Sequence, residues 1–209
     1  TDIWMEKEDG TYVLSGTAGI GPKHETSALD SLMSKLDKPE KLVILSDIKE
    51  GLKSNKRVKV KMGFDQHMGD LYPFTLNDKL AVITELDEWY TEENGNKSPW
   101  RKPIIPIEMI SVLTNFSGNP SNFSVKGPVI GLFANQEIKL FNGPLFVDEE
   151  YQIKKEIIAL SQSKRVETYW CMTSVYDKEN ILVAECLLNQ AFLKDSYKNY
   201  EQELKDISG

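Results

Sequence analysis

Histidine is almost missing from this chain of 209 residues, which contains only His24 and His67. A histidine-rich metal centre is therefore excluded, and any catalytic imidazole must be one of these two. Cysteine is as scarce. Cys171 and Cys186 are too few for a disulfide scaffold and do not form a zinc-finger ligand set, so neither a metal nor a cofactor is expected. No run of about 18 apolar residues exists to span a membrane. Positive charge is in deficit, with 25 Lys and Arg against 32 Asp and Glu and a net charge of -7, which argues against a general nucleic-acid binder. What the chain does have is a 40% hydrophobic fraction with four Trp, eight Tyr and eight Phe, too apolar for a disordered segment. Its length suits one large domain or two small ones with a real core. The first residues show no basic stretch followed by an apolar run, so no signal peptide is read there. The chain starts at Thr1, so a removed leader would not be seen. The expectation is a cytoplasmic globular protein.

Hydrophobic spacing divides the chain. In residues 25–36, Leu29, Leu32, Met33 and Leu36 recur three and four apart, one face of a short helix with Thr26 or Ser27 as cap. Residues 41–45 are a short apolar run. Arg57, Lys59 and Lys61 then alternate with Val58, Val60 and Met62, the period of a strand with one basic and one apolar face. Residues 75–90 read as a helix, although its acidic residues gather at the end that the helix dipole disfavours. Residues 104–113 read as a buried helix with Pro106 in its first turn, where a missing N–H costs little. From residue 128 onward four strand-like stretches follow, separated by Asn142-Gly143, by residues 161–163 and by residues 177–180. The last three suggest an antiparallel meander. Tyr169, Cys171, Thr173 and Val175 share one face and Trp170, Met172, Ser174 and Tyr176 the other. With neither face clearly polar, the sheet should carry a helix on one side and a partner subunit on the other. The tail, from residue 195 on, is polar and is expected to fray.

The stretches RKPIIPIEMISVL, GLFANQEIKLFNGPLFVDEEYQIKKEIIAL and YWCMTSVYDKENILVAECLL together resemble hot-dog fold proteins of the MaoC-like acyl-thioester dehydratase/hydratase type. The shared features are an apolar central helix, a strand ending in Phe, a Gly-Pro with an acidic turn, and long final strands. The resemblance covers roughly residues 71–194. It implies an α+β architecture, a hot-dog-like antiparallel sheet wrapped around a central helix, with residues 1–60 as an N-terminal extension packed on the core and residues 61–209 as the hot-dog-like domain. It also implies an acyl substrate carried on coenzyme A or acyl carrier protein, bound in a tunnel where two units meet, and hence a homodimer or a hetero-oligomer with a related subunit. Hydratases of this type carry an Asp and a His before the central helix to handle water. Here the matching stretch reads NGNKSPW. Asn94 or Asn96 and Pro99 are echoes of that motif, the Asp is absent, and Trp100 stands about where the His belongs. Any acid/base pair must come from elsewhere.

The nearest substitute is Asp65-Gln66-His67, a carboxylate and an imidazole two apart in a loop flanked by Gly63 and Gly69. Histidine titrates near neutrality and suits a general acid or base, while the same residues also suit a polar surface loop. Glu108 interrupts the apolar helix. Buried, it would need a partner or a proton, and by position it fits the carboxylate that some hot-dog thioesterases use. On the wet side of the helix it would be ordinary. Tyr72, Asn96, Trp100 and Arg57 are the candidate substrate-binding residues. Arg57, with Lys59 and Lys61, is placed to meet a phosphate-bearing arm or simply to face solvent. His24 follows a glycine-rich start that does not match a nucleotide loop. Cys171, mid-strand beside Trp170, reads as a small buried hydrophobe. Asn115 and Asn122 both open glycosylation triplets, a pattern common by chance, in a loop rich in Gly and Pro.

Three functions fit. One is an enzyme on an acyl thioester or similar apolar carbonyl compound, by dehydratase/hydratase proton transfer with His67, Asp65 and Glu108, or as a thioesterase. Another is a non-catalytic binding or structural subunit of a hot-dog assembly. The third is a small-molecule carrier or cyclase of another barrel-like fold.

Overall fold

In the computed structural model, which describes residues 2–17, 28–70, 72–83, 86–116 and 119–207, the chain forms two compact units, Thr1–Lys35 and Leu36–Gly209. The first holds an antiparallel hairpin of β1 (Asp2–Glu6) and β2 (Tyr12–Thr17), then a helix, α1 (Ala28–Met33). The hairpin turns at Gly10, whose φ of 80° is a left-handed conformation that glycine adopts freely. Asp9 accepts from the Thr11 N–H at 2.9 Å beside it.

The second unit is built on one antiparallel sheet. Its strands are β3 (Val58–Val60), β4 (Gly131–Leu140), β5 (Tyr151–Gln162), β6 (Val166–Tyr176) and β7 (Leu182–Leu193), in the order β3-β5-β6-β7-β4. The expected meander is β5-β6-β7. Its second turn closes because Asp177 accepts from the Ile181 N–H at 2.8 Å and Asn180 takes a φ of 64°, which a short polar side chain tolerates. One sheet face carries the rows Ile153–Val175–Ala184, Lys155–Thr173–Cys186 and Ile157–Cys171–Leu188. Trp170 and Leu187, on the opposite face, are buried as well.

Helix α3 (Ile107–Asn115) packs along this sheet and contacts β7. Pro106 is its N-cap, and it buries Met109, Ile110, Leu113 and Thr114, a single stripe. The buried Thr114 hydroxyl donates back to the Ile110 carbonyl at 3.0 Å, which spares it an unmade bond. One apolar cluster joins this stripe to Val60, Met62, Leu145, Ile153 and Val175. A second gathers Val43, Ile44, Leu45, Ile157, Tyr169, Phe192 and Tyr200.

Two expectations are corrected. The helix foreseen over residues 75–90 is only α2 (Leu76–Leu80), opened by a capping box between Thr75 and Asp78. Further on, Asp87 instead caps a short 3-10 turn at Glu88–Tyr90, its carboxylate accepting from the Trp89 N–H at 2.8 Å. An acidic cluster at a helix C-terminus would have opposed the dipole. The tail does not fray. It forms α4 (Tyr200–Asp206), anchored by the buried Tyr200. No helix among the described residues is long and apolar enough to cross a membrane.

Candidate functional site

A cavity of about 430 Å³ lies between the C-terminal half of α3, the segment after it, and the face of β5, β6 and β7. That volume falls within the roughly 300–1,000 Å³ of small-molecule sites. Its walls are mostly apolar, with Phe116, Phe123, Phe133, Leu188 and Phe192 prominent. Period two along β5 explains one wall. Ile153, Lys155 and Ile157 point the same way, and the two isoleucines are fully buried. Lys155 therefore lies on the core face of a central strand, 2% exposed. Its backbone is held by Ser54, whose hydroxyl accepts from the Lys155 N–H at 3.1 Å and whose own N–H donates to the Lys155 carbonyl at 2.9 Å.

The cavity's polar corner surrounds that amine. Lys155 Nζ donates to Asn115 Oδ1 at 3.0 Å and to Asn122 Oδ1 at 2.7 Å. Both amides are fixed from behind. Asn115 Nδ2 donates to Thr114 Oγ1 at 2.9 Å and the Ser111 carbonyl at 3.3 Å, and Asn122 Nδ2 donates to the Phe116 carbonyl at 3.2 Å. Buried Asn119 shapes the loop between them by accepting from the Ser121 hydroxyl and N–H at 2.6 and 3.0 Å. Burial pushes the Lys155 ammonium below its ordinary pKa. Burial also drives the Cys171 thiol up to about 11, against the pull of Lys155, and raises Cys186. Tyr169 donates to Gln190 at 2.5 Å, and burial raises its pKa too. No carboxylate or imidazole is among the described residues lining this cavity.

Of the described residues proposed from sequence as catalytic or substrate-binding, only Tyr72 lines the cavity. Its hydroxyl meets Met109 Sδ at 3.2 Å, and burial together with the nearby Glu108 raises its pKa. Asp65 and His67 are exposed, with Asp65 accepting from Asn77 Nδ2 at 2.9 Å. Glu108 lies on the exposed side of α3. Asn96 and Trp100 are exposed in the loop before α3, where Trp100 packs edge-on against Trp89 at 6.2 Å. Arg57 lies 3.8 Å over the Tyr176 ring and is hydrogen-bonded to Asn180. Beside it, Lys59 and Lys61 pair with Glu150 and Asp148 at 2.8 and 3.4 Å, so the basic strand face is matched by acidic neighbours. His24 lies outside the described residues. Lys155, Asn115 and Asn122 were not foreseen as a site. The available signal was a lysine two residues from an isoleucine on either side, in register with a core face.

No family model matches the sequence, and a search of curated proteins finds no relative. Solved structures do match in fold. The monoamine oxidase regulatory protein from Archaeoglobus fulgius is similar at 14% identity and a TM-score of 0.53, over 72% of this chain and 94% of that one. The HadBC (3R-hydroxyacyl-ACP dehydratase) complex from Mycobacterium tuberculosis is similar at 12% identity and a TM-score of 0.50, over 68% of this chain and 96% of that one. The MaoC-like dehydratase from Rhodospirillum rubrum follows at 13% identity, a TM-score of 0.48, and 72% and 97% coverage. The α+β, hot-dog-like fold and the resemblance to proteins of the MaoC-like type are borne out at the level of architecture.

Proposed function

We propose that this protein takes an apolar, carbonyl-bearing molecule, such as the acyl group of a thioester on coenzyme A or acyl carrier protein, into the cavity beneath α3. The observation that carries this reading is the cavity itself, apolar-walled with one polar corner, in a hot-dog-like sheet. Dehydratase- or hydratase-type proton transfer is the finer proposal, with thioester hydrolysis as its rival. A role in it for His67, Asp65 or Glu108 requires a second hot-dog unit to cover the exposed faces on which they lie. The edge strand β4 favours such an assembly, since Leu132 and Phe133 on it are 50% and 54% exposed. The HadBC neighbour is a complex by its own description.

A second reading, a non-catalytic binding subunit of such an assembly, is favoured by the absence of carboxylate and imidazole from the described lining residues. One experiment separates the two. Crotonyl and saturated acyl thioesters are supplied to wild type, H67A and E108Q, while displacement of a fluorescent apolar probe reports on the cavity. Turnover lost in a variant assigns the chemistry. Displacement without turnover supports the binding subunit, and neither displacement nor turnover overturns both.

A further inference from the structure

We propose that the cavity selects an apolar carboxylic acid, or an acyl compound bearing a carboxylate, whose anionic head pairs with Lys155 beside Asn115 and Asn122. The proposal rests on the cavity being a ligand site and names what that ligand must carry.

The argument starts from cost. Lys155 occupies a position between Ile153 and Ile157 where a hydrophobe would serve packing better, and it is 2% exposed. A buried ammonium is expensive unless an opposite charge pairs with it. Several described lysines meet carboxylates at the surface, as Lys59 does with Glu150 and Lys102 with Glu149 at 2.6 Å. Lys155 has two neutral amide oxygens instead, and the titratable groups that act on it are the raised thiols Cys171 and Cys186. No described carboxylate forms an ion pair with it, and an ammonium would have a third N–H without a partner among the described residues.

The remaining groups narrow the ligand. The amide nitrogens of Asn115 and Asn122 are already committed to Ser111, Thr114 and Phe116. Among the described lining residues Lys155 is thus the only charged donor, and it stands beside phenylalanine, leucine and valine walls. One positive charge next to an apolar space fits a singly charged head on an apolar tail. A phosphate, with up to two charges, would require a second cation. A neutral carbonyl would accept the N–H and leave the charge unbalanced. The titratable groups around the amine are Cys171 and Tyr169 on β6, Cys186 on β7 and Tyr72 near α3, all neutral at pH 7 when their pKa values are raised as described.

Decanoate, decanol and methyl decanoate, titrated calorimetrically into the full chain, test this in buffers of differing ionisation enthalpy. Decanoate should bind at least about tenfold more tightly than either neutral analogue, a difference of about 1.4 kcal/mol. Proton uptake should accompany decanoate alone and grow as pH rises toward the ordinary lysine value, because burial leaves more of the free amine neutral. K155M should keep decanol binding and lose the preference. Equal binding of acid and alcohol by wild type, or an unaltered preference in K155M, overturns the carboxylate proposal while leaving the cavity reading intact. Failure of all three compounds to bind overturns the cavity reading as well. The proton uptake is measured on wild type and stands whether or not K155M folds.

Discussion

The Tyr200 hydroxyl donates a 2.9 Å hydrogen bond to the carboxylate of Glu167, 33 residues away and fully buried. The same carboxylate accepts the backbone N–H groups of Val43 and Leu45 at 2.8 and 3.0 Å. One β6 side chain, on the strand face that also carries Tyr169 and Cys171, therefore satisfies an irregular buried turn and docks α4. Removing it in E167A leaves three buried donors unpaired and should cost about 3–5 kcal/mol. Y200F removes one bond and should cost about 1–1.5 kcal/mol, or a few degrees of melting temperature at this size. Urea unfolding midpoints check the order, and an E167A midpoint equal to wild type would contradict it.

The strands of the main sheet were legible because period two is a strong signal over ten to twelve residues, with Asn-Gly and Asp-to-Asn turns marking their ends. Helix α3 was legible from its apolar stripe. What the pattern did not reveal was dictated by distant partners. The run at residues 41–45 shows only that it is apolar, and it is a turn whose N–H groups find Glu167 more than 120 residues away. The tail looks frayed until Tyr200 meets that same carboxylate. The hairpin of β1 and β2 carries a local signal in Asp9-Gly10. In the site, chemistry drew attention to His67 and Glu108, both exposed. Lys155 was readable only by asking which way a strand lysine points.

Gly95 packs where no side chain fits. A Cβ there would sit 2.4 Å from Pro103 Cβ and 2.5 Å from its Cα, so backbone must move. G95A should destabilise the loop before α3 by about 1–3 kcal/mol. Thermal unfolding measures the loss. Retention of the wild-type midpoint would mean that the loop yields at little cost.

Ser111 faces the cavity from a half-buried position on α3. An indole there would occupy much of the 430 Å³ space. S111W should retain the far-ultraviolet circular dichroism of wild type and bind a fluorescent apolar probe at least about tenfold more weakly, with an overpacking cost of about 1–3 kcal/mol. Unchanged probe affinity would place the ligand site elsewhere.

Both cysteines are buried, and burial pushes the Cys171 thiol up to about 11. The thiolate is the reactive form. At neutral pH, a disulfide exchange reagent should label neither thiol quickly in native protein and both after denaturation. Rapid native labelling of Cys171 would show that the cavity delivers reagent and activates the thiol.

Lys155 gives the last prediction a sign that differs from its neighbours. Its folded pKa lies below the unfolded value of 10.5, so just below that pH the unfolded chain holds a proton that the folded chain has released. Stability from this group therefore rises with pH there. Cys171, raised to about 11, and Tyr151, raised to about 12, act oppositely. Their contributions are whole below the unfolded values of 9.0 and 10.0 and disappear as pH climbs through the folded ones. Total stability would blur these trends, whereas the difference between wild type and K155M largely isolates the lysine. That difference should shift toward wild type as pH approaches 10.5, by about 1.4 kcal/mol for every tenfold change in the protonation equilibrium. Urea unfolding of both proteins across this range measures it, and a flat difference would mean that the amine stays charged in the fold.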